Sequence, residues 1–321
     1  MILLDPLGRR IDYLRISVTG RCNLRCIYCL PRDSRCCAPG AATLDPEIIF
    51  HVAGAAMRYG LQKIRLTGGE PLLRDDIIEI VEKLKQMGVP DLSMTTNGVL
   101  LAPLAGDLKA AGLDRINISL DSLDESVYAR ITDGGDLASV MDAIEAVTKA
   151  GLSPIKINVV PLRGINDGEA EKFAALTLER PVHVRFIELM PSGQKTPGIE
   201  SLAVPTVETM EKVASAFRRE GRKLLFEGEG GSSRNYRLER AKGIIGFISP
   251  ISNHFCGKCN RMRLTSSGKL RPCLFSGEEI EIASGTTQPE IEEILKHAVL
   301  RKPAGRKVGS AIPGRMSHIG G

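Results

Sequence analysis

Short apolar runs alternate with longer amphipathic stretches over the first two thirds of the chain. The apolar runs have the length and the β-branched residues of buried strands, which predicts six strands at 13–18, 63–67, 92–96, 115–120, 155–160 and 183–189. Helices are predicted between them at 46–57, 74–87, 102–111, 137–150 and 168–178. Six consecutive β-α units indicate an α/β fold with a parallel sheet. Since about eight units close a standard barrel, six predict an incomplete (β/α)6 barrel that is open at one side.

The pattern changes after Met190. Residues 191–205 are rich in Pro, Gly and Ser, which is typical of a connection, and 206–219 predict one more helix. From Arg222 onward, short strands are predicted at 223–226, 236–238, 244–248, 261–265 and 269–271. We therefore expect a partial barrel over 1–220 and a smaller β-rich domain over 221–321 that covers its open side.

The composition is that of an ordinary globular protein, with 321 residues, of which 43% are hydrophobic and 25% charged. Its 43 basic and 38 acidic side chains leave a small positive surplus, which suits anionic small molecules. Nucleic acid is not expected as a partner, because Trp is absent and aromatic residues make up only 4% of the chain. The first apolar run is too short for a signal peptide, and no run reaches the roughly eighteen apolar residues of a membrane span. We expect a cytoplasmic protein with no membrane contact.

Three cysteines, Cys22, Cys26 and Cys29, lie in one short loop after the first predicted strand. Structural zinc is normally closed by four ligands, and a 4Fe-4S cluster normally takes four thiolates. Three thiolates would leave one iron of such a cluster open for chemistry. Two alternatives remain: a zinc loop completed by Cys36 or Cys37, or three unrelated buried cysteines. In a reducing compartment, disulfides are the less favoured use of these thiols.

A second set of three cysteines, Cys256, Cys259 and Cys273, lies near the C-terminus. Taken alone, this set fits a zinc ribbon with His254 as a fourth ligand as well as it fits a cluster. Arg261 and Arg263 alternate along the adjacent predicted strand, so both guanidinium groups point to one side of it. This pair either grips phosphate in forked geometry or is simply solvated.

Further polar motifs follow the predicted strands at their carboxyl ends, where parallel α/β folds place ligands. Gly68-Gly69-Glu70-Pro71 follows the second strand, Thr96 ends the third and Ser119 ends the fourth. Two adjacent glycines often make only a tight turn. After a strand and before a capped helix, however, their backbone can approach a bound molecule closely.

The first cysteine loop, with Tyr28 before its last cysteine, and the Gly68-to-Pro71 motif resemble the radical S-adenosylmethionine (SAM) superfamily. Residues 255–275 and the C-terminal Gly320-Gly321 are similar to one family within it, the GTP 3',8-cyclases of molybdenum cofactor biosynthesis. The resemblance extends from Arg15 to the final glycine. It leaves Cys36 and Cys37 without a role.

The resemblance implies site residues position by position. Two 4Fe-4S clusters would be held by Cys22, Cys26 and Cys29 and by Cys256, Cys259 and Cys273. SAM would contact Tyr28, Gly69, Ser119 and Met190. GTP would contact Arg15, Arg65, Thr96, Lys156, Arg261 and Arg263. Gly320 and Gly321 would enter the active site.

The resemblance also implies a reaction and partners. A 5'-deoxyadenosyl radical from SAM would take the 3' hydrogen of the GTP ribose, and attack on carbon 8 would give 3',8-cyclo-7,8-dihydro-GTP. Expected partners are a low-potential electron donor such as flavodoxin or ferredoxin and the next enzyme, cyclic pyranopterin monophosphate synthase, with the chain a monomer or homodimer. Two other hypotheses stay open: a different radical enzyme with an auxiliary cluster, such as a peptide modifier, and a non-enzymatic zinc protein.

Overall fold

The structure is a computed structural model that describes residues 2–29, 42–191, 198–307 and 310–320. Six parallel strands form the centre of its sheet, and each pairs with the next in chain order. They are β1 (Tyr13–Ser17), β2 (Lys63–Thr67), β3 (Asp91–Thr96), β4 (Arg115–Ser119), β5 (Ile155–Val159) and β6 (Val182–Ile187). All six predicted strands are therefore present, within two residues at each end.

Helices connect these strands: α1 (Pro46–Arg58), α2 (Ile77–Gln86), α3 (Ala105–Ala110), α4 (Glu125–Thr132), α5 (Leu137–Lys149), α6 (Ala170–Glu179) and α7 (Thr206–Arg219). Helix α4 was not predicted from the sequence. Helix α2 begins three residues later than expected, at Ile77, because the Asp76 carboxylate binds the Arg74 guanidinium at 2.6 Å instead of capping the helix. Asp76 makes no side-chain capping bond.

The chain after α7 extends both edges of the central sheet. It contains β7 (Leu224–Gly230), β8 (Ser233–Leu238), β9 (Ile244–Ile248), β10 (Arg261–Leu264), β11 (Lys269–Arg271), β12 (Ile280–Glu281), α8 (Gln288–Leu300) and α9 (Met316–Ile319). Strand β10 pairs in parallel with β1, and β9 pairs in parallel with β6. The α/β fold with a β-rich C-terminal region is confirmed. The boundary at 220/221 stays a prediction, since the twelve-stranded sheet of the described residues continues across it.

Side-chain alternation separates two faces of the sheet. Leu14 and Ile16 of β1, like the matching apolar positions of the other parallel strands, are buried in one hydrophobic core with the helices. The intervening positions, such as Tyr13, Arg15 and Ser17, therefore point to the opposite, inner face. In the ranges that the structure describes, no helix combines the length and the apolar character needed to cross a membrane.

Candidate functional site

The first cysteine loop follows the carboxyl end of β1, and its three cysteines are half-buried. Helix α4 anchors the loop, because Arg25 N donates to Thr132 O at 3.1 Å and Ile27 N donates to Ile131 O at 2.9 Å. The helix that the sequence pattern did not predict thus holds the backbone between the predicted ligands. The sequence did contain an indication of α4 in Asp124, whose carboxylate caps the helix by accepting from Ser126 N and Val127 N.

The Gly68-Gly69 turn packs directly beneath this loop. Gly69 N donates to Thr19 O and Glu70 N donates to Arg21 O, both at 2.7 Å. A Cβ atom at position 69 would lie 2.2 Å from Arg21 O, so only glycine permits this approach. The turn therefore shapes the cysteine loop, and the contact of Gly69 with SAM stays a prediction.

Glu70 joins the loops that follow β2 and β3. Its buried carboxylate accepts from the Thr96 hydroxyl and from Asn97 N, both at 2.7 Å. Burial raises the pKa of Glu70 to about 7, although these hydrogen bonds oppose the shift. Asn97 donates in turn to Asn23 Oδ1 of the cysteine loop at 2.8 Å. The Thr96 hydroxyl is thus already committed within the protein, and its contact with GTP stays a prediction.

Tyr28 connects the cysteine loop to the far strands. Its hydroxyl donates to Asp121 Oδ2 at 2.5 Å, and Asp121 Oδ1 accepts from Val160 N at 2.8 Å. Burial raises the pKa of Asp121 to about 6. Burial, followed by the nearby Asp121, Cys29 and Cys22, raises the pKa of Cys26 well above its usual value. Three thiolates would repel one another here unless a cationic metal centre stabilised them, so this donor set fits an iron–sulfur cluster.

The second cysteine set lies at the opposite end of the β1–β10 pair. Cys256 and Cys259 precede β10, and Cys273 follows the antiparallel β11. Tyr13 N at the start of β1 donates to Asn260 O at 3.2 Å, which places this set near the amino end of β1. A strand of this length spans roughly 17 Å. The two cysteine sets therefore lie about one strand length apart, with the inner face of the sheet between them.

Among the described residues, no three His, Cys, Asp or Glu side chains gather closely enough to hold one metal ion. Each cysteine of a four-iron cluster binds a different iron, so its thiolates need not meet at one point. Cys36, Cys37 and Gly321 lie outside the described residues, as does 192–197 of the connection for which no role was predicted.

Three arginines stand side by side between the two cysteine sets. In the strand register, Arg15 of β1 lies opposite Arg263 of β10 on one side and opposite Arg65 of β2 on the other. Burial lowers the pKa of Arg15 to about 10, and the charges of Arg65 and Arg261 add to the effect. The Arg261 guanidinium stacks over the Phe255 ring at 4.7 Å. Such a concentration of like charge on a buried face favours a polyanionic ligand.

Two more cations face this row from β5 and β6. Burial lowers the pKa of Lys156 to about 7, with Arg185, Arg115 and Arg65 as further causes. Arg185 donates to Asn117 Oδ1 at 2.6 Å, and burial, followed by Arg65, lowers its pKa to about 9. Arg185 was not among the site residues predicted from the sequence. The alternation of apolar and polar residues in β6 could have indicated it, because Arg185 occupies an inner-face position between the buried Val184 and Phe186.

The predicted SAM residues Ser119 and Met190 are half-buried at the carboxyl ends of β4 and β6. The C-terminal tail reaches the same end of the sheet. Ser17 Oγ donates to Ser317 O at 3.0 Å, and Arg263 donates to the carbonyl oxygen of Gly320. Gly320 has a φ of +81°, and a Cβ there would lie 2.4 Å from Thr67 Cγ2. The structure thus brings Gly320 to the arginine row.

Comparisons with known proteins show the family of the whole chain. The sequence model of the Radical SAM superfamily matches residues 16–177, and that of Molybdenum Cofactor Synthesis C matches residues 182–308. The GTP 3',8-cyclase of Pelotomaculum thermopropionicum is 44% identical over 99% of both chains. That of Desulforamulus reducens is 42% identical over 99% of this chain and 100% of its own.

Solved structures share the fold at low sequence identity. Streptococcus suis SuiB bound to S-adenosylmethionine is 14% identical with a TM-score of 0.64, covering 92% of this chain and 67% of its own. The enzyme anSMEcpe with bound AdoMet is 15% identical with a TM-score of 0.59, covering 90% of this chain and 82% of its own. These likenesses concern the fold alone.

Proposed function

The chain belongs to the GTP 3',8-cyclase family of radical SAM enzymes, and we propose that its two cysteine sets and the basic residues between them form one reaction chamber. The chain is a radical SAM GTP cyclase of molybdenum cofactor biosynthesis.

The observation that carries the assignment is the row of Arg263, Arg15 and Arg65 across three neighbouring strands. Arg15 and Arg263 are less than one-tenth exposed, so a bound triphosphate would meet them in a medium of low dielectric constant. Charge-assisted hydrogen bonds to phosphate are strong there, and the guanidinium fork matches the geometry of phosphate oxygens. Lys156 and Arg185 add positive charge from the opposite wall.

The first cluster is assigned to Cys22, Cys26 and Cys29. When bound, this cluster and SAM supply a carbon radical that can remove hydrogen from a ribose. The chain contributes placement: α4 and the Gly68-Gly69 turn fix the loop, and Tyr28 ties it to Asp121. SAM is assigned to the carboxyl ends of the strands, against Tyr28, Gly69, Ser119 and Met190.

The second cluster is assigned to Cys256, Cys259 and Cys273, with the guanine of GTP facing it. Although burial opposes ionisation, Arg261 and Lys302 lower the pKa of Cys259 to about 7, which favours the thiolate that binds iron. The triphosphate then points along the inner face toward Arg15 and Arg263. In this orientation the ribose would lie between the two cysteine sets, within reach of the hydrogen-removing chemistry that the first cluster and SAM would supply.

The assignment extends to partners. Cluster reduction calls for a low-potential donor such as flavodoxin or ferredoxin, and the product passes to cyclic pyranopterin monophosphate synthase. We place the protein in the cytoplasm, as a monomer or homodimer.

Anaerobic turnover tests the function. Reconstituted protein is incubated with GTP deuterated at the ribose 3' carbon, SAM and a reductant, and the products are identified by mass. We expect a product isomeric with GTP and deuterium in 5'-deoxyadenosine. A Cys26→Ala variant and a reaction without reductant serve as controls. Release of 5'-deoxyadenosine without deuterium would contradict the assigned site of hydrogen removal.

A further inference from the structure

Lys302 lies behind the second cysteine set, just after α8, and is 5% exposed. Its ammonium donates to Arg261 O at 2.6 Å and to Pro272 O at 2.8 Å. Arg261 comes two residues after Cys259, and Pro272 immediately precedes Cys273. One buried side chain therefore joins the backbones of two separate segments that carry predicted cluster ligands.

Two other buried cations bind the same region in a different way. Arg9 donates to Cys256 O at 2.6 Å, and Arg271 donates to Cys273 O at 3.2 Å. Each of these arginines also forms an ion pair, Arg9 with Asp5 at 2.5 Å and Arg271 with Glu279 at 3.4 Å. Their charges are thus compensated by carboxylates of the protein.

The charge of Lys302 has no such compensation. Within the part of the chain that the structure describes, Lys302 forms no ion pair with a carboxylate. A buried charge without a counter-charge is strongly destabilising. The anionic groups that act on Lys302 are the thiols of Cys259 and Cys273, once these are ionised. A four-iron core bound by three thiolates carries net negative charge, so the lysine is matched electrostatically when the site is loaded.

We propose that Lys302 is a positioning residue of the second cluster, which compensates the negative charge of the thiolate-bound cluster and fixes the Cys259 and Cys273 segments relative to each other. The proposal rests on the two-cluster function above. A positive charge at this place favours the reduced form of the cluster more than the oxidised form. Lys302 therefore raises the reduction potential of the second cluster and slows its loss of iron.

Two substitutions in the full, anaerobically reconstituted chain distinguish the effect of the Lys302 charge from that of its hydrogen bonds. Lys302→Gln keeps a donor for the two carbonyl groups but removes the charge, whereas Lys302→Arg keeps both. We expect K302Q to lower the midpoint potential of the second cluster and to accelerate its iron loss to a chelator by about tenfold or more. We expect K302R to resemble the unchanged protein in both measurements.

The matched control is Lys258→Gln. Lys258 stands between Cys256 and Cys259 in the sequence, but its side chain is 75% exposed and pairs with Glu229. Because solvent screens its charge, K258Q should leave the midpoint potential and the chelation rate unchanged. The spectrum of the first cluster in the presence of SAM reports whether each variant is folded.

A Cys256→Ala variant separates failure of the inference from failure of the proposed function. It should lose roughly half of the iron and sulfide while keeping the spectrum of the first cluster. Unchanged iron in C256A would overturn the two-cluster assignment itself. Halved iron in C256A, together with an unshifted potential and chelation rate in K302Q, would overturn only the role of Lys302. If K302Q does not fold, the K302R variant provides the test. A second cluster that is fully occupied in K302R and keeps its midpoint potential supports the role of Lys302, whereas loss of the second cluster overturns it.

Discussion

Arg263 of β10 donates a hydrogen bond from its guanidinium group to the carbonyl oxygen of Gly320 in the C-terminal tail. Arg263 is 6% exposed, and burial, followed by the nearby Arg15 and Arg261, holds its pKa well below the usual value. The tail carbonyl thus occupies one donor of a side chain that we assign to the phosphates of GTP. We therefore expect the position of the tail and the binding of phosphate to be coupled through this one arginine.

The contact of Gly320 with Thr67 predicts that a single methyl group added at position 320 will lower activity. Gly320→Ala places a Cβ 2.4 Å from Thr67 Cγ2 at a φ that disfavours side chains. We expect the tail to leave its site and product formation to fall by about tenfold or more, with iron content unchanged. Turnover and iron analysis measure this effect. Gly277→Ala, whose Cβ would make ordinary contacts at 3.8 Å, should retain activity.

A second substitution tests the same contact in reverse. Thr67→Ser removes the methyl group that the new Cβ would meet, so the double variant T67S/G320A should recover part of the lost activity. A double-mutant cycle measures this coupling. Equal losses in G320A and in the double variant would show that the Thr67 contact does not limit the tail.

Arg185, which faces the arginine row, should contribute to GTP binding more than to thermal stability. Replacing Arg185 by Met removes a half-buried cation whose charge interacts with Lys156, Arg65 and Arg15. We expect GTP affinity to fall by roughly tenfold to a hundredfold, the usual cost of one charge-assisted contact. Thermal stability without GTP should change little, because the relief of like-charge repulsion offsets the loss of the hydrogen bond from Arg185 to the buried Asn117. Calorimetry measures both quantities.

Arg10→Met is the control, since the Arg10 side chain is 46% exposed and forms its ion pair with Asp12. Unchanged GTP affinity in R185M would show that Arg185 does not contribute to GTP binding. The double variant R261A/R263A should likewise weaken GTP binding while the first cluster stays intact.

Lys156 predicts a pH effect on binding. Its pKa is lowered to about 7, so near pH 8 the unliganded site holds this amine largely uncharged. A bound triphosphate favours the ammonium form, and GTP binding should therefore take up a proton above pH 7, with affinity falling as pH rises. Calorimetry in buffers of different ionisation enthalpy measures the uptake. The same proton uptake in K156M would assign it to another group.

The lowered pKa of Lys156 also makes the free energy of unfolding depend on pH. Between pH 7 and the unperturbed pKa of about 10.5, the unfolded chain holds a proton on Lys156 that the folded protein lacks. The contribution of Lys156 to the free energy of unfolding should therefore increase with pH across this window. The difference from K156M, measured by denaturant titration at several pH values, should follow that trend.

The glycine beneath the cysteine loop predicts loss of the first cluster. In Gly69→Ala, the new Cβ would lie 2.2 Å from Arg21 O, so the loop must move away from the turn. We expect iron content to fall by roughly half after reconstitution, with the second cluster spectroscopically intact. Gly106→Ala is the control, because its Cβ meets nothing within 4 Å and its position in α3 favours alanine. Full iron content in G69A would show that the loop tolerates the displacement.

Local patterns were sufficient for most of the elements. Strand β2 and helix α7 have the bounds that the sequence predicted, because apolar periodicity, turn glycines and capping residues act within a few residues of one another. Three helices of the described residues, α4, α8 and the four-residue α9, were not predicted in this way. Helix α4 is short, and α8 lies in a region where predicted strands predominated, although Thr287 and Glu290 form a capping box at its start.

The sequence by itself determined the chemistry of this protein: two sets of three cysteines, the glycine motif after the second strand and alternating arginines in a strand. These signals are local spacings, and the resemblance to a known family depends on them. Tertiary structure decided the arrangement. It placed Arg15 beside Arg263 from the far end of the chain, set the two cysteine sets at opposite ends of one strand pair, and buried Lys302 behind the second set. Such neighbours are determined by strand pairing and packing over the whole chain, which no short window of sequence contains.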